Sequence, residues 1–457
     1  MARIEAIIFL SLVLDLLAFT IPLPLFPRIV EWYHSREGSD PNGFLSRTLH
    51  GVQTLRTTLY RPATVRENRR WDVVLLGGLM GSLFSTLQFI VSPFIGSLSD
   101  TYGRKTILLA TMAGNILSAL IWIQSTTFAS YLLSRAVGGL SEGNVQLAIA
   151  ILSDVTTPQT RSRALALIGI AFSVCFCVGP PIGAWFALRP SSTLPLLGGH
   201  ELNIYAWPAT LTLVLLVLET AFLTVALPET LQKKTIEKPS EKKEPQVPRA
   251  SAEQRLATLK ALKTIHFAFL VLFSGVEFTL TFLTFDLFDW NNLQNGRLIG
   301  SMGILSALLQ GGYVRRSIPK VGELKMASSG VTALFGGLTF LSILPQTLKT
   351  GYAMAFLYGA TICLAFTSAT VVTALNGAAS LQCDESAAPT NPKLAKGRAM
   401  GEYRSWGQLG RALGPIFACG MYWTVGPTST YGVFAAATAL LAMHMRRRVL
   451  LVKKKVE

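Results

Sequence analysis

Among the ionisable residues inside long apolar stretches of this 457-residue chain, seven are candidates for chemistry: Asp15, Arg135, Glu142, Glu219, Glu277, Arg404 and Arg411. A charge at the centre of a bilayer costs at least about 2.5 to 3.5 kcal/mol on insertion scales, so each calls for a role or a partner. The chemistry open to them is proton binding and charge pairing. Desolvation raises a carboxylate's pKa and a nearby cation lowers it, so a site that alternates these effects takes up and releases a proton. Arg135 and Glu142 are seven residues apart, two helical turns, which places them on one face of a helix. From there both point at a central cavity beside Asp15. Glu277, with Ser274, Thr279 and Thr281 nearby, is a mid-helix cavity candidate. Arg404 is a second. Glu219, in a Leu-rich run, is open to two readings: a proton-coupling group, or a core residue bonded to a neighbour. Arg404 and Arg411, again seven apart, have snorkelling or pairing with Glu402 open to them, and a structural pairing is expected for Arg411.

Positioning these groups falls to helices in lipid. Only 14% of residues are charged, where a soluble protein carries about 25%. Half are hydrophobic and the mean hydropathy is +0.44, more apolar side chain than a soluble fold of this length can hide. A net charge of +16 and a pI of 9.8 would suggest nucleic acid if spread over a soluble surface. Here the charges fall in gaps between apolar stretches, so no nucleic-acid partner is expected. A hydrocarbon core about 30 Å thick needs roughly 20 apolar residues per helix. Twelve such stretches are expected at 4–27, 73–98, 106–124, 128–155, 164–188 and 204–227, then 264–288, 298–314, 327–344, 351–375, 400–424 and 427–445. Barrel-type alternation is missing. The first stretch has no small-residue cleavage site and reads as a retained helix.

Both termini in the cytoplasm would place 27 Lys and Arg there, 11 on the other side and 3 within helices, in agreement with the positive-inside rule. The departure is the first outer loop, 28–71, where Arg56, Arg61, Arg66, Arg69 and Arg70 cluster; an interfacial helix is the one account of it. Residues 228–263, rich in Lys, Glu, Pro and Ser, form a solvated tether between the halves 1–227 and 264–445. The basic tail 446–457 reads as an anchor at an anionic leaflet, with a dilysine retrieval signal at Lys454-Lys455 as the other reading. The membrane itself, plasma membrane or an internal one such as vacuole or endoplasmic reticulum, is left open. Five scattered cysteines without paired CxxC spacing make zinc and disulfide readings weak. No metal site and no cofactor are expected.

The halves repeat. Arg161-Ser-Arg163-Ala164 precedes Gly179-Pro180, and Lys396-Gly-Arg398-Ala399 precedes Gly414-Pro415 at the same spacing. That points to two six-helix units in parallel orientation. Between the second and third stretches runs Gly96-Ser-Leu-Ser-Asp100-Thr-Tyr-Gly103-Arg104-Lys105. Gly96 and Gly103 permit a tight reversal and close helix approach. Asp100 can cap the following helix or face another helix's positive end. The second half holds a degraded copy, Gly311-Gly-Tyr-Val-Arg315-Arg316 then Gly322-Glu-Leu-Lys325, without the matching acid.

The loop resembles the G-x-L-x-D-x-x-G-R-K/R motif of the major facilitator superfamily. Further features resemble its drug:proton antiporter branch, the tetracycline-transporter-like group. They are Leu14 to Phe19 followed by Pro22, Pro24 and Pro27, the Arg135–Gly139–Gly143 spacing, the run Gly179-Pro180-Pro181-Ile182-Gly183, and the seventh-helix run from Phe273 to Phe288. Cys175 and Ala184 replace two glycines of the antiporter stretch. The resemblance implies an all-α, twelve-helix fold of two six-helix bundles, with small organic molecules crossing by alternating access. It implies that the arginine at 135 influences protonation of a neighbouring carboxylate, and that Asp154 pairs with Arg104 as a gate. Proton antiport by a monomer, with protons, a small-molecule substrate and lipid as partners, is the leading expectation. A facilitator or symporter of a metabolite is the alternative, and a non-transporting receptor or scaffold the reading from another class. No paired His-Glu, GxSxG or phosphate-loop motif suggests an enzyme.

Overall fold

Glycines with backbone angles closed to other residues punctuate the helices at matching places in both halves. Gly103 (φ 106°) separates α4 (Arg69–Tyr102) from α5 (Arg104–Gln124), and Gly322 (φ 86°) separates α12 (Arg315–Val321) from α13 (Glu323–Thr347). The structure, a computed structural model, describes residues 2–22, 25–59, 69–187, 202–231, 251–290, 292–383 and 391–453. The expectations for Arg61, Arg66, most of the tether and the terminal Lys454-Lys455 pair lie outside these residues.

The first stretch forms α1 (Ala2–Thr20), and the first outer loop contributes α2 (Phe26–Glu37) and α3 (Phe44–Leu59). After α4 and α5 come α6 (Phe128–Ser141), α7 (Asn144–Val155), α8 (Pro158–Ala187) and α9 (Ala206–Ala226). The second half holds α10 (Ala252–Phe288), α11 (Asn292–Leu308), α12, α13, α14 (Ala353–Ser380) and α15 (Lys396–Lys453).

Seven helices among the described residues are long and apolar enough to cross a membrane: α4, α5, α8, α9, α10, α13 and α14. The other expected stretches are helical but interrupted or charged. Arg3, Glu5 and Asp15 fall in α1. The fourth stretch breaks between α6 and α7, where Glu142 is extended (ψ 100°). A π-helical turn, Leu309–Val314, interrupts the eighth. The last two run together in α15 across non-helical Gly426 (φ 79°, ψ 169°).

α8 and α15, the helices that carry the repeat, each pack across to the other half, α8 on α11 and α12, α15 on α4. Each also lies against the first helix of its own half, and its Gly-Pro glycine is the point of approach. A Cβ on Gly179 would strike Thr20 Oγ1 of α1, and one on Gly414 would strike Ser274 Oγ of α10. The α4–α15 seam is closer still, since a Cβ on Gly96 would strike Gly397 O, and one on Gly401 would lie 2.6 Å from Ser92 O. Gly397→Val is therefore expected to force α4 and α15 apart and to lower the melting temperature by several degrees, because overpacking costs about 1–3 kcal/mol. A thermal-shift measurement on the purified protein checks this; an unchanged midpoint would mean the seam yields without cost.

The first outer loop is folded against the rest. Ile29, Tyr33 and Leu45 bury themselves among Trp122, Phe128, Tyr131 and Tyr205. Tyr33 donates its hydroxyl to Ser125 O (2.8 Å) and accepts from Asn203 Nδ2 (2.7 Å), and Glu37 accepts from Phe128 N (2.8 Å). Helices were the one account available for this loop; their docking is a tertiary feature.

Candidate functional site

The break between α6 and α7 decides which charges meet. Gly143 lets the chain leave α6 at Glu142 and restart at Asn144. Asn144 Nδ2 then donates to Asp15 Oδ1 on α1 at 2.6 Å. Asn115 of α5 donates to Glu142 Oε2 at 3.5 Å. The cation in electrostatic reach of Asp15 and Glu142 is Arg404 of α15. Arg135 goes elsewhere. Its guanidinium lies over Trp122 (5.3 Å to the ring centre) and Tyr131 (5.5 Å), and its Nε donates to Ser134 Oγ at 3.4 Å. The expected meeting of Arg135 with Glu142 beside Asp15 is corrected: the aromatic faces of Trp122 and Tyr131 hold the cation, which makes no ion pair with either acid among the described residues.

Two turns beyond Arg404 on the same face, Arg411 lies within electrostatic reach of Glu277 of α10. Glu402 serves neither arginine. It pairs with Lys263 (2.8 Å) and Arg398 (3.7 Å). Arg404 and Arg411 are half-buried and form no hydrogen bond or ion pair among the described residues. The structural pairing expected for Arg411 with Glu402 is thus not made. Each guanidinium has five donors and no acceptor, and leaving such a group unpaired in a low-dielectric interior is costly. The arrangement offers an open place for an anion. Glu219 is fully buried on α9, with Ser11 Oγ of α1 donating to its Oε1 at 3.0 Å.

At one end of the helices the loop motif forms a latch. Asp100 accepts from Gly397 N (2.8 Å) and Arg398 N (2.7 Å), and so caps α15 rather than the helix that follows it. Arg104, 1% exposed, bridges Asp100 (2.7 Å) and Asp154 (2.9 Å) and donates to Ser99 Oγ (2.6 Å). Lys396 adds a contact to Asp154 (3.2 Å) and donates to Ser153 O (3.0 Å). Lys105 reaches Thr224 O at 2.8 Å. The repeat counterpart of Lys396, Arg161, is fully buried and donates to Ser153 O, Thr156 O and Ser380 O. In the degraded copy Glu323 stands in for the missing acid, accepting from Ser162 Oγ at 2.6 Å.

Sequence reading missed four contributors: Asn144, Asn115, Lys396 and Glu229. Glu229 caps α5, accepting from Arg104 N (2.9 Å) and Lys105 N (3.1 Å). An acid directly after Leu227-Pro228, where a helix ends, was the available signal. Asn144, next to a glycine in an apolar stretch, was another. Gly183 is buried in α8 beyond Pro180 and Pro181, and Pro415 lies inside α15.

Apolar helices that enclose half-buried arginines and carboxyls, closed at one end by a charged latch, define a polytopic membrane carrier. The chain matches the Major Facilitator Superfamily over residues 8–415, and it belongs to that family. It is 35% identical to major facilitator superfamily domain-containing protein 10 of Bos taurus, over 95% of this chain and 90% of the relative. The crystal structure of the human organic anion transporter MFSD10 (TETRAN) superposes with a TM-score of 0.78 at 30% identity, covering 97% of this chain and 99% of that one. The class H tetracycline resistance protein of Pasteurella multocida is 27% identical over 54% of this chain and 58% of its own. The chain is thus an integral, multi-pass secondary transporter of a non-catalytic family, akin to MFSD10 and more distantly to the tetracycline-resistance proteins.

Proposed function

We propose that the chain carries an organic anion across its membrane by alternating access between two six-helix bundles, 1–227 and 264–445, joined by the tether 228–263. The observation that carries this reading is the pair of unpartnered guanidinium groups at Arg404 and Arg411. The organic-anion transport named for the human relative supports it. Arg404 receives the anionic group, and Glu277 holds Arg411 within reach when the site is empty. The latch of Asp100, Arg104, Asp154 and Lys396 closes the cytoplasmic end, with both termini on that side as the positive-inside count favours. The chain works as a facilitator or a symporter rather than the antiporter first expected.

Proton antiport is the second reading, favoured by the acidic set Asp15, Glu142, Glu219 and Glu277 and by the likeness to tetracycline-resistance proteins. Liposomes carrying the purified protein separate the two, with carboxyfluorescein as the probe anion. Uptake raised by an inward proton gradient supports symport, and uptake indifferent to it supports a facilitator. Uptake lowered by an inward gradient and raised by an outward one supports antiport. No uptake of carboxyfluorescein or of smaller carboxylates under any gradient would overturn the anion reading.

A further inference from the structure

The anion path leaves one buried acid without a use. Glu219 sits on α9, fully covered, with Oε1 accepting from Ser11 and Oε2 buried and without a hydrogen-bond partner. Asp15 lies one turn from Ser11 on the same face of α1, and within electrostatic reach of Glu219. The two acids are served differently. Asp15 has the Asn144 amide at 2.6 Å and Arg404 acting on it. Glu219 has a hydroxyl and a bare oxygen, and the charged groups acting on it, Asp15 and Glu142, are both acidic. From α5, Lys105 meets α9 only at Thr224 O, more than a turn away. On α8, Cys175 lies beside Asp15. An amide aimed at an oxygen suits an anion, whereas a buried oxygen with no donor suits the neutral acid.

We propose that Glu219 is a proton-binding site set behind the cavity wall, working with Asp15 as one unit. The proton sits on Glu219 Oε2 while Asp15 keeps its charge toward Arg404 and the Asn144 amide. Binding forms one O–H bond at Oε2 and breaks one at a hydronium of the cavity water, and release reverses this. The link to transport rests on the anion reading above; the site itself does not. An anion on Arg404 adds negative charge beside Asp15, the partner of Glu219, so a proton on the Asp15–Glu219 unit becomes easier to bind, and anion and proton travel together.

Infrared difference spectra of the purified full chain across a pH series, in H2O and D2O, test the site. The expected result is a deuterium-sensitive carbonyl band of a protonated carboxyl that disappears in Glu219→Gln and persists with a displaced midpoint in Asp15→Asn. In Ser11→Ala, the milder variant, the band shifts because Oε1 loses its donor. A band unchanged in both Glu219→Gln and Ser11→Ala, or removed by Asp15→Asn alone, would overturn the proposal. In carboxyfluorescein uptake, Glu219→Gln should lose the stimulation by an inward proton gradient. A wild type without uptake would sink the anion reading and leave the infrared band to decide the proton site.

Discussion

Replacing Arg404 with glutamine is expected to abolish saturable uptake of carboxyfluorescein while leaving the protein folded. The argument is one of differential binding. Arg404 makes no hydrogen bond or ion pair among the described residues, so its removal from the empty protein breaks no direct contact and takes only its longer-range support of Asp15 and Glu142. It takes from the loaded protein a charge-assisted, desolvated contact to the anion. Losing one partner of such a contact costs about 2–5 kcal/mol, and every 1.4 kcal/mol is about tenfold in affinity. A rise of the half-saturating concentration by roughly 30-fold or more follows. Arg404→Lys should recover only part of it, because an ammonium lacks the planar fork that grips a carboxylate on two oxygens. Normal uptake in Arg404→Gln would sink its role as receiver, and a large fall in melting temperature would show that it has a structural partner.

The second large effect is expected at the latch. Arg104→Met leaves Asp100 and Asp154 without their shared cation, and breaking a buried pair by removing one member costs about 3–5 kcal/mol. Arg104 pairs with both acids inside the first half and so holds them in place for their partners across the seam, Gly397 N, Arg398 N and Lys396; with the acids misplaced, the equilibrium should move toward the state open at this end. A native reporter lies behind the latch. Cys383, just past α14, is 1% exposed, and its burial pushes the thiol up to about 12. Near neutral pH almost none of it is thiolate, so it is inert toward maleimide while the latch is shut. Opening admits water and returns the thiol toward its ordinary value of about 8.5. Labelling of Cys383 should therefore accelerate strongly in Arg104→Met and be absent from a Cys383→Ser control. Equal labelling rates in wild type and Arg104→Met would mean that the latch does not hold this end closed.

Much of the latch was legible because its chemistry is local. The residues from Gly96 to Lys105 lie within one reversal, and the charge of Asp100 and the φ of Gly103 follow from a few neighbouring positions. The pairing of Arg104 with Asp154 was implied by family resemblance. Lys396 and Glu229 were not found, because each arrives from another part of the chain and its partner is fixed only by how helices pack. The inner site was less legible for a specific reason. The spacing of Arg135 and Glu142 does not reveal the aromatic rings that take the arginine, and the break after Glu142 brings Asn144 to Asp15. Arg404 was named for its position, but nothing along the chain says that it faces α1 and the α6–α7 break across 389 residues of sequence (Asp15 to Arg404). Apolar periodicity placed most helices well, since lipid demands it, yet interruptions such as the π turn at Leu309–Val314 leave no mark on hydropathy.

The docked outer helices α2 and α3 carry a practical consequence. Their attachment runs through Tyr33, Glu37 and Asn203 to the corner between α5 and α6 and to the start of α9, with no such bond to the second half among those that hold them. They form a rigid handle on one side of the rocking axis. A nanobody raised against Arg36, Phe44 and Arg47 would serve as a fiducial for imaging whose tilt against the α10–α15 half reads out the conformational cycle without any probe in the transport path.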